Sequence, residues 1–315
     1  MTQAVHVARR GLAHRMWRAR WAYAFVLVPI ACFTTFELYP FLQAIVYSVS
    51  KWTLTGPGEF VGLANFAVAF RDPIFWKALG NTIAYSVAVV FGGIALALVM
   101  AALIFPLARR AKTFFKMAFY LPAVASLVVV ALVWRWMYQP AFGLLNHLLG
   151  IVGLGPLGFL TDSDQALPSI MVMQILSNPT IGLGASLILI LAAMNSIPGE
   201  LYEAAMIDGA TALQRFRRVT VPLLRPTIVF LLIIGTVETF REFTAIYLMT
   251  TTSGSNTLSG GGPFYSTTTL AYHIYVQGFL TRQFGVAAAT SIVLFLIVFG
   301  LAILQFRRLN ADIEY

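Results

Sequence analysis

Six long apolar stretches divide this sequence of 315 residues. Each is long enough to cross the hydrocarbon core of a bilayer as a helix, which takes about 20 residues. Because a chain in lipid must satisfy its own backbone polar groups, the stretches predict helices. The fourth contains Asn178-Pro179 and two glycines, so we expect it to be the weakest helix. The predicted bounds are 21–48, 79–105, 114–138, 169–194, 226–249 and 284–306.

The low charge of the chain excludes a soluble globule of this size. Hydrophobic residues make up 59% of the sequence and charged residues only 10%, whereas soluble domains carry roughly a quarter charged residues. The bilayer must therefore be the solvent for much of the surface. The single cysteine, Cys32, excludes an intrachain disulfide and a cysteine metal site. The four histidines show no metal-ligand spacing, and we expect no metal site.

Lysine and arginine cluster in alternate connections between the apolar stretches. Fifteen of these residues lie in four places: before the first stretch, after the second, after the fourth and after the last. The other connections contain only about four. Positive residues accumulate on the cytoplasmic side of membranes, so the pattern predicts six spans with both termini in the cytoplasm. The basic charge then reflects topology, and we expect no nucleic acid as a partner. The predicted division is a basic N-terminus at 1–20 and a six-span domain at 21–315.

The first apolar stretch is interpreted as a retained span. Basic residues precede it, as in a secretory signal, but it continues past Glu37 and Pro40. No small-residue cleavage pattern closes it.

The connection between the fourth and fifth stretches departs from a simple membrane bundle. Residues 198–222 read PGELYEAAMIDGATALQRFRRVTVP. Pro198 suits a first helical turn, and Asp208-Gly209 supplies a chain reversal. Apolar residues then recur at helical spacing up to Pro222. The pattern predicts a short helical hairpin at the cytoplasmic face.

This segment resembles the signature loop of bacterial ABC-importer permeases, which reads EAA, three residues, G, nine residues and I-x-L-P. Valine replaces the isoleucine and the leucine at positions 219 and 221, both conservative changes. The stretch GGGP at 260–263, with STTTL at 266–270, resembles the carbohydrate-uptake branch, which includes maltose and glycerol-3-phosphate permeases. The resemblance covers essentially the whole chain. It assigns coupling to an ATPase to Glu203, Ala204, Ala205, Asp208, Gly209, Phe216 and Pro222.

The resemblance implies an all-α membrane protein with six transmembrane helices and a hairpin that serves as a coupling helix docking on an ATPase. The alternative for the hairpin is an amphipathic helix lying on the lipid surface. The implied cargo is a sugar, an oligosaccharide or a sugar-like polyol phosphate, such as glycerol 3-phosphate or a glycerophosphodiester. The implied partners are a second similar permease, two cytoplasmic ATPase subunits and an external substrate-binding protein, and the implied location is the bacterial cell membrane.

No enzymatic role is expected for this chain. It contains no GxxxxGK[ST] phosphate loop, so ATP and Mg²⁺ would be bound by the ATPase subunits, and we expect no cofactor here. One rival interpretation is an ion-coupled secondary transporter, which would leave the hairpin unexplained. Another is a polytopic membrane enzyme, for which no clustered nucleophile, base or metal set is present.

Several polar residues within the apolar stretches are candidates for the substrate path. Glu238, Arg241 and Glu242 are spaced to share one helix face, and ionisable groups at membrane depth face a bundle interior or a wet cavity. They either line the path or form an internal ion pair that locks helices together. The candidates for the path are Gln174, Asn178, Glu238, Arg241, Glu242 and Tyr247.

Two other polar groups have a structural alternative. Gln174, Ser177 and Asn178 would either bind a hydroxylated ligand or join helices by hydrogen bonds. Arg135, between two tryptophans at the outer end of the third stretch, is expected to extend to the membrane interface.

Overall fold

Helices make up almost all of the regular structure. The structure, a computed structural model, describes residues 20–52, 58–251 and 260–310. Residues 1–19 of the predicted basic N-terminus at 1–20, residues 53–57, 252–259 and 311–315, and the side chains of residues 22 and 308–310 lie outside the described residues. Within the described ranges, the only strand-like pairing is one bridge between Ser50 and Phe60. The all-α prediction is confirmed.

Five helices form the first part of the chain. Helix α1 consists of Arg20–Phe33, the π-helical turn Thr34–Leu38 and Tyr39–Ser48 in direct succession. The others are α2 (Ala64–Arg71), α3 (Pro73–Ile104), α4 (Arg109–Val124) and α5 (Leu127–Met137).

The described residues form nine further α-helices. They are α6 (Leu144–Ile151), α7 (Ser163–Ser177), α8 (Leu183–Asn195), α9 (Gly199–Ile207), α10 (Ala212–Leu223, with a π-helical turn at Phe216–Thr220), α11 (Arg225–Phe240), α12 (Thr244–Thr250), α13 (Leu270–Tyr275, continued by a π-helical turn at Val276–Leu280) and α14 (Phe284–Asn310).

Helix α3 is the central element of the bundle. It begins two turns before the predicted start at position 79, because Asp72 caps it: Asp72 Oδ1 accepts a hydrogen bond of 2.8 Å from the backbone N–H of Ile74. Pro73 follows at the first helical position, where its missing N–H is not needed. Helices α7, α8, α11 and α13 all pack against α3. Its side chains contribute to each of three buried apolar clusters.

Helix α1 packs on the rest of the bundle through its second half only. Tyr39–Ser48 lies along α14, with the rings of Phe41 and Phe295 5.0 Å apart. Every described side chain of Arg20–Phe33 is exposed. The first half of α1 therefore extends beyond the core formed by the other helices.

The third apolar stretch is two helices rather than the single helix predicted. The axes of α4 and α5 differ by 96°, and the break lies at Ala125 and Ser126, which have extended backbones. Pro122 stands in the last turn of α4. Proline removes a backbone donor and its ring strains the preceding turn, which explains why the helix ends there.

The fourth and fifth stretches are also broken. The fourth divides into α7 and α8 at residues 178–182, the position that Asn178-Pro179 indicates. The fifth divides into α11 and α12 at residues 241–243, which the prediction of one continuous helix over 226–249 did not include. Both breaks contain polar residues that were predicted to line the substrate path.

The described helices allow up to six membrane spans. Three are long and apolar enough alone: Tyr23–Ser48, Pro73–Ile104 and Phe284–Arg307. Three bent pairs pass the same test when each pair counts as one span: α4 with α5, α8 with α9 (73°), and α10 with α11 (64°). The last two pairs differ from the predicted stretches. The first of them includes α9 of the predicted hairpin instead of α7, and the second includes α10 of the hairpin instead of α12.

The segment 260–283 is an ordered cap on the N-terminal end of α3. Lys77 Nζ donates to the carbonyl of Phe264 (2.6 Å), and Asn81 Nδ2 donates to that of Thr268 (3.0 Å). His273 Nε2 lies 3.2 Å from Asp72 Oδ2. Burial lowers the pKa of His273 from its ordinary value, and the adjacent Asp72 opposes that shift. These contacts position α13 beside the break between α11 and α12.

Close packing between α4 and α8 depends on Gly184. A Cβ at this position would collide with the backbone carbonyl of Phe119. We expect Gly184→Ala to lower the stability of the purified protein by about 1–3 kcal/mol, as overpacking does. The matched variant Gly80→Ala adds the same methyl group on α3, where no atom lies within 4 Å, and alanine favours a helix over glycine. Thermal unfolding in detergent should show a lower midpoint for Gly184→Ala alone; equal midpoints would contradict this packing.

Candidate functional site

The predicted hairpin is present as helices α9 and α10. The reversal between them has Gly209 at φ +76°, a region that favours glycine. Thr211 then caps α10: its Oγ1 accepts from the N–H of Gln214 (3.3 Å), and Gln214 Oε1 accepts from the N–H of Thr211 (2.8 Å). This reciprocal capping box satisfies donors that a helix start leaves unpaired. The turn therefore has a defined geometry.

The hairpin is attached to the bundle on one side. Tyr202 on α9 and Thr220 on α10 share a hydrogen bond between their hydroxyls (3.0 Å). The ring of Tyr202 lies 6.4 Å from that of Phe105, which follows α3. Lys112 Nζ lies 4.7 Å from the Phe105 ring centroid, in a cation–π contact. The hairpin is thus linked directly to the end of α3.

The other side of the hairpin is uncovered and apolar at its tip. Ile207 is 87% exposed and Leu213 is 74% exposed. Glu203, Ala204 and Asp208 are also exposed. Of the other residues assigned to coupling, Gly209 and Pro222 are exposed and Ala205 and Phe216 are half-buried. An exposed apolar tip next to acidic side chains has the properties of a protein-docking surface.

A buried chain of hydrogen bonds connects the breaks in the fourth and fifth stretches. Asn178 Nδ2 donates to Gln174 Oε1 (2.7 Å), and Gln174 Nε2 donates to Glu242 Oε2 (2.9 Å). Asn178 Oδ1 accepts from the backbone N–H groups of Thr180 and Ile181, and Glu242 Oε1 accepts from that of Ala245. Asn178 and Glu242 thus satisfy backbone donors freed by the two breaks, and Gln174 joins their side chains. We call Gln174, Asn178 and Glu242 the break network.

Neighbouring polar groups add further links between helices. Trp134 Nε1 donates to Ser177 Oγ (3.1 Å). Arg135 Nη1 donates to the carbonyl of Leu248 (3.0 Å), near the end of α12. Its guanidinium thus binds a carbonyl at a helix end, a contact that the sequence did not predict, and the extension of Arg135 to the membrane interface stays a prediction.

Glu238, Arg241 and Glu242 do not share one helix face. Helix α11 ends at Phe240, so Arg241 is its C-cap and Glu242 lies in the break. Glu242 is buried in the break network, whereas Glu238 and Arg241 are exposed. Among the described residues, no ion pair joins Arg241 to either acid. The predicted internal Glu–Arg lock is absent from this part of the chain.

Arg241 lies instead at a large cavity between α1, α11, α13 and α14. The cavity has a volume of about 800 Å³ and is mostly apolar. Its polar lining residues are Glu37, Arg241 and Ser291. Glu37 was not predicted as a site residue, although one acid within an apolar stretch is a signal for such a role.

Tyr247, the remaining candidate for the path, belongs to an aromatic cluster. Its ring lies 5.3 Å from Phe243 and 5.6 Å from Tyr275. Tyr275 also stacks on Phe279, at 5.4 Å, which is largely exposed. Residues from the break and from α13 thus form one aromatic surface, which requires the folded cap and has no local sequence signal.

The comparison with protein families decides which class of protein this is. A family described as binding-protein-dependent transport system inner membrane component matches residues 93–310. The chain belongs to this family. It is therefore a multi-pass membrane protein and a component of an importer, as the resemblance implies.

Named relatives agree along nearly the full length. The sn-glycerol-3-phosphate transport system permease protein UgpA of Pectobacterium atrosepticum is 32% identical over 302 residues, covering 95% of this chain and 98% of that protein. The probable ABC transporter permease protein YurN of Bacillus subtilis is 32% identical over 288 residues, covering 89% and 93%.

Solved importers share the fold. A chain of a bacterial ABC transporter involved in import of the acidic polysaccharide alginate is 25% identical, with a TM-score of 0.81, and covers 96% of this chain and 99% of that chain. A structure of the alginate transporter in complex with alginate pentasaccharide-bound periplasmic protein has a TM-score of 0.79 and 25% identity, covering 93% and 95%. The helix breaks and the hairpin described above thus belong to an importer permease.

The break network is expected to behave as one unit in this permease. Glu242→Ala leaves Gln174 Nε2 and the N–H of Ala245 without acceptors, at about 1–3 kcal/mol for each buried group. We expect Glu242→Ala and Gln174→Ala each to lower the free energy of unfolding, with a coupling of about 0.5–3 kcal/mol in the double variant. Thermal unfolding of purified protein measures this. Glu238→Ala, at an exposed acid, should stay within about 0.5 kcal/mol; strictly additive losses would contradict the network.

Proposed function

We propose that this chain is a six-span subunit of an ATP-driven importer in the bacterial inner membrane, with both termini in the cytoplasm. Its cargo is a sugar, an oligosaccharide or a sugar-like polyol phosphate. The names of the relatives and of the alginate transporter support this cargo class. A second similar permease, two ATPase subunits and an external binding protein complete the complex. ATP and Mg²⁺ are bound by the ATPase subunits, and this chain catalyses no reaction itself.

The hairpin tip is the observation that carries this proposal. A short helix with exposed apolar residues, such as Ile207 and Leu213, fits a groove on a partner protein. The exposed Glu203 supplies a charge at the same surface. The residues proposed to act in this coupling are Glu203, Ala204, Ala205, Asp208, Gly209, Phe216 and Pro222.

The connections of the hairpin support a role in coupling. Helix α8 leads into α9 after three residues, at an angle of 73°, and α10 leads into α11 at 64°. A displacement of the hairpin therefore moves the adjoining ends of α8 and α11. Those helices extend to the break network at their other ends. Motion at the ATPase thus reaches the region where cargo would pass, as alternating access requires.

A glycine pair within the hairpin tests the coupling. Gly209→Val places a branched side chain at φ +76°, which costs roughly 1 kcal/mol or more. Gly199→Val adds the same side chain at the start of α9, with ordinary φ; both positions have open space around the added Cβ. We expect both variants to insert and to pair with the second permease. Transport and ATP hydrolysis stimulated by the loaded binding protein should fall sharply for Gly209→Val only.

Glu203→Lys gives an independent check, because it reverses a charge at the exposed docking face without changing the turn. Its effect on transport should match that of Gly209→Val. Wild-type coupling in both variants would mean that the hairpin is an interfacial helix.

Cysteine labelling tests the proposed orientation. Cys32 is exposed, so Cys32→Ser provides the background. Asp164→Cys and Gln214→Cys place one thiol at each proposed face, and both native side chains are exposed. A membrane-impermeant maleimide should label position 164 in intact cells stripped of their outer membrane, and position 214 only after permeabilisation. The reverse pattern would refute the orientation.

A further inference from the structure

The cavity between α1 and α14 contains two opposite charges in apolar surroundings. Arg241 and Glu37 both line it, together with apolar side chains that include Phe41, Phe295 and Phe299. Ionisable groups at membrane depth are costly and face a partner or a wet cavity. Neither residue has an ion pair within the described ranges.

Arg241 is not neutralised by the acids next to it in sequence. Both carboxyl oxygens of Glu242 accept hydrogen bonds within the break network, from Gln174 and Ala245. Glu238 is exposed but does not line the cavity. Arg241 therefore lines the cavity with no ion-pair partner among the described residues, and its planar guanidinium suits a phosphate or a carboxylate.

Glu37 is placed at the cavity by an irregular turn of α1. It lies in the π-helical turn Thr34–Leu38, and such turns frequently occur at functional sites. An ionised carboxylate accepts hydrogen bonds, and hydroxyl groups donate them. The aromatic wall formed by Phe41, Phe295 and Phe299, with ring spacings of 5.0 and 5.7 Å, provides an apolar face.

We propose that this cavity binds an anionic polyol, a molecule with one acidic group and several hydroxyl groups. Arg241 binds the phosphate or carboxylate, Glu37 accepts hydrogen bonds from hydroxyls, and the aromatic wall contacts the carbon chain. Such a ligand offers an anion to Arg241 and hydroxyl donors to Glu37, whereas a neutral sugar offers Arg241 no counterion. The inference rests on the proposed function and narrows its cargo class to anionic members.

Transport by the complete complex in proteoliposomes, with its binding protein, tests this site. The probes are sn-glycerol 3-phosphate, a glucuronate-containing disaccharide, glycerol and maltose. The wild-type complex should import a phosphorylated or a carboxylated probe in preference to the neutral ones, and the two anionic probes distinguish the acids. Arg241→Gln should reduce uptake of that anion at least about tenfold, the loss expected for a charge-assisted hydrogen bond. Glu37→Gln should raise its KM severalfold.

Matched controls separate the site from general effects of charge removal. Arg110→Gln and Glu59→Gln make the same changes at exposed positions away from the cavity, and they should transport as the wild type does. The double variant Glu37→Arg with Arg241→Glu exchanges the two charges. The exchange would restore a structural ion pair, but it would not restore an anion site at position 241. It should remain impaired if the residues contact cargo.

The outcomes that would overturn the inference differ from those that would overturn the proposed function. Import of neutral probes only, unchanged anion import by Arg241→Gln, or rescue by the double charge exchange would each refute the anion site while leaving the importer intact. Absence of ATP-driven uptake of every probe by the wild-type complex would refute the proposed function, and the anion site with it.

Discussion

The buried hydrogen bonds of the break network are the interaction on which the rest of this permease depends. An interrupted helix in an apolar medium leaves backbone donors and acceptors unpaired, and each unpaired group costs several kcal/mol there. Asn178 and Glu242 bind the freed N–H groups of their own breaks, and Gln174 joins the two side chains. Each break is therefore stabilised by the other, and neither is expected to persist alone. The carbonyl of Glu242 also accepts from Thr269 Oγ1, which ties the network to the cap at 260–283.

This arrangement divides the bundle into two parts with different surroundings. Helices α5, α7 and α12 contribute to one apolar cluster with the first half of α3, and α8 and α11 contribute to another with its second half. The hairpin is joined to the second part only, through α8, α11 and the end of α3. A push on the hairpin thus acts first on the helices of the second part. The break network lies between the two parts and joins them by hydrogen bonds.

The sequence predicts the apolar helical segments but not most of their interruptions. The length of an apolar stretch and the basic residues of the connections indicate where a chain crosses a membrane. Both signals reflect the average environment of about 20 residues. A break depends on a few side chains that compensate it from elsewhere in the fold. Asn178-Pro179 is a local signal, and it predicted the break in the fourth stretch. The break in the fifth stretch depends on a bond between Glu242 and Gln174, 68 residues away, and the sequence did not predict it. The assumption of a continuous helix then placed Glu238, Arg241 and Glu242 on one face. The hairpin was predictable because its turn and caps are local in sequence.

The polar residues within the apolar helices fall into two groups, and the distinction bears on function. Gln174, Asn178 and Glu242 have hydrogen-bond partners within the chain, so exchanging one for cargo would leave a break unsatisfied. Glu37 and Arg241 have no ion-pair partner among the described residues and face a common cavity. Both side chains are exposed, and without an ion-pair partner neither contributes ion-pair stabilisation to the described fold. Their presence is accounted for when the partner is a molecule that occupies the cavity for part of the transport cycle. Under this proposal, the residues that hold the helix breaks together and those that contact cargo are different residues, although they are adjacent at positions 241 and 242.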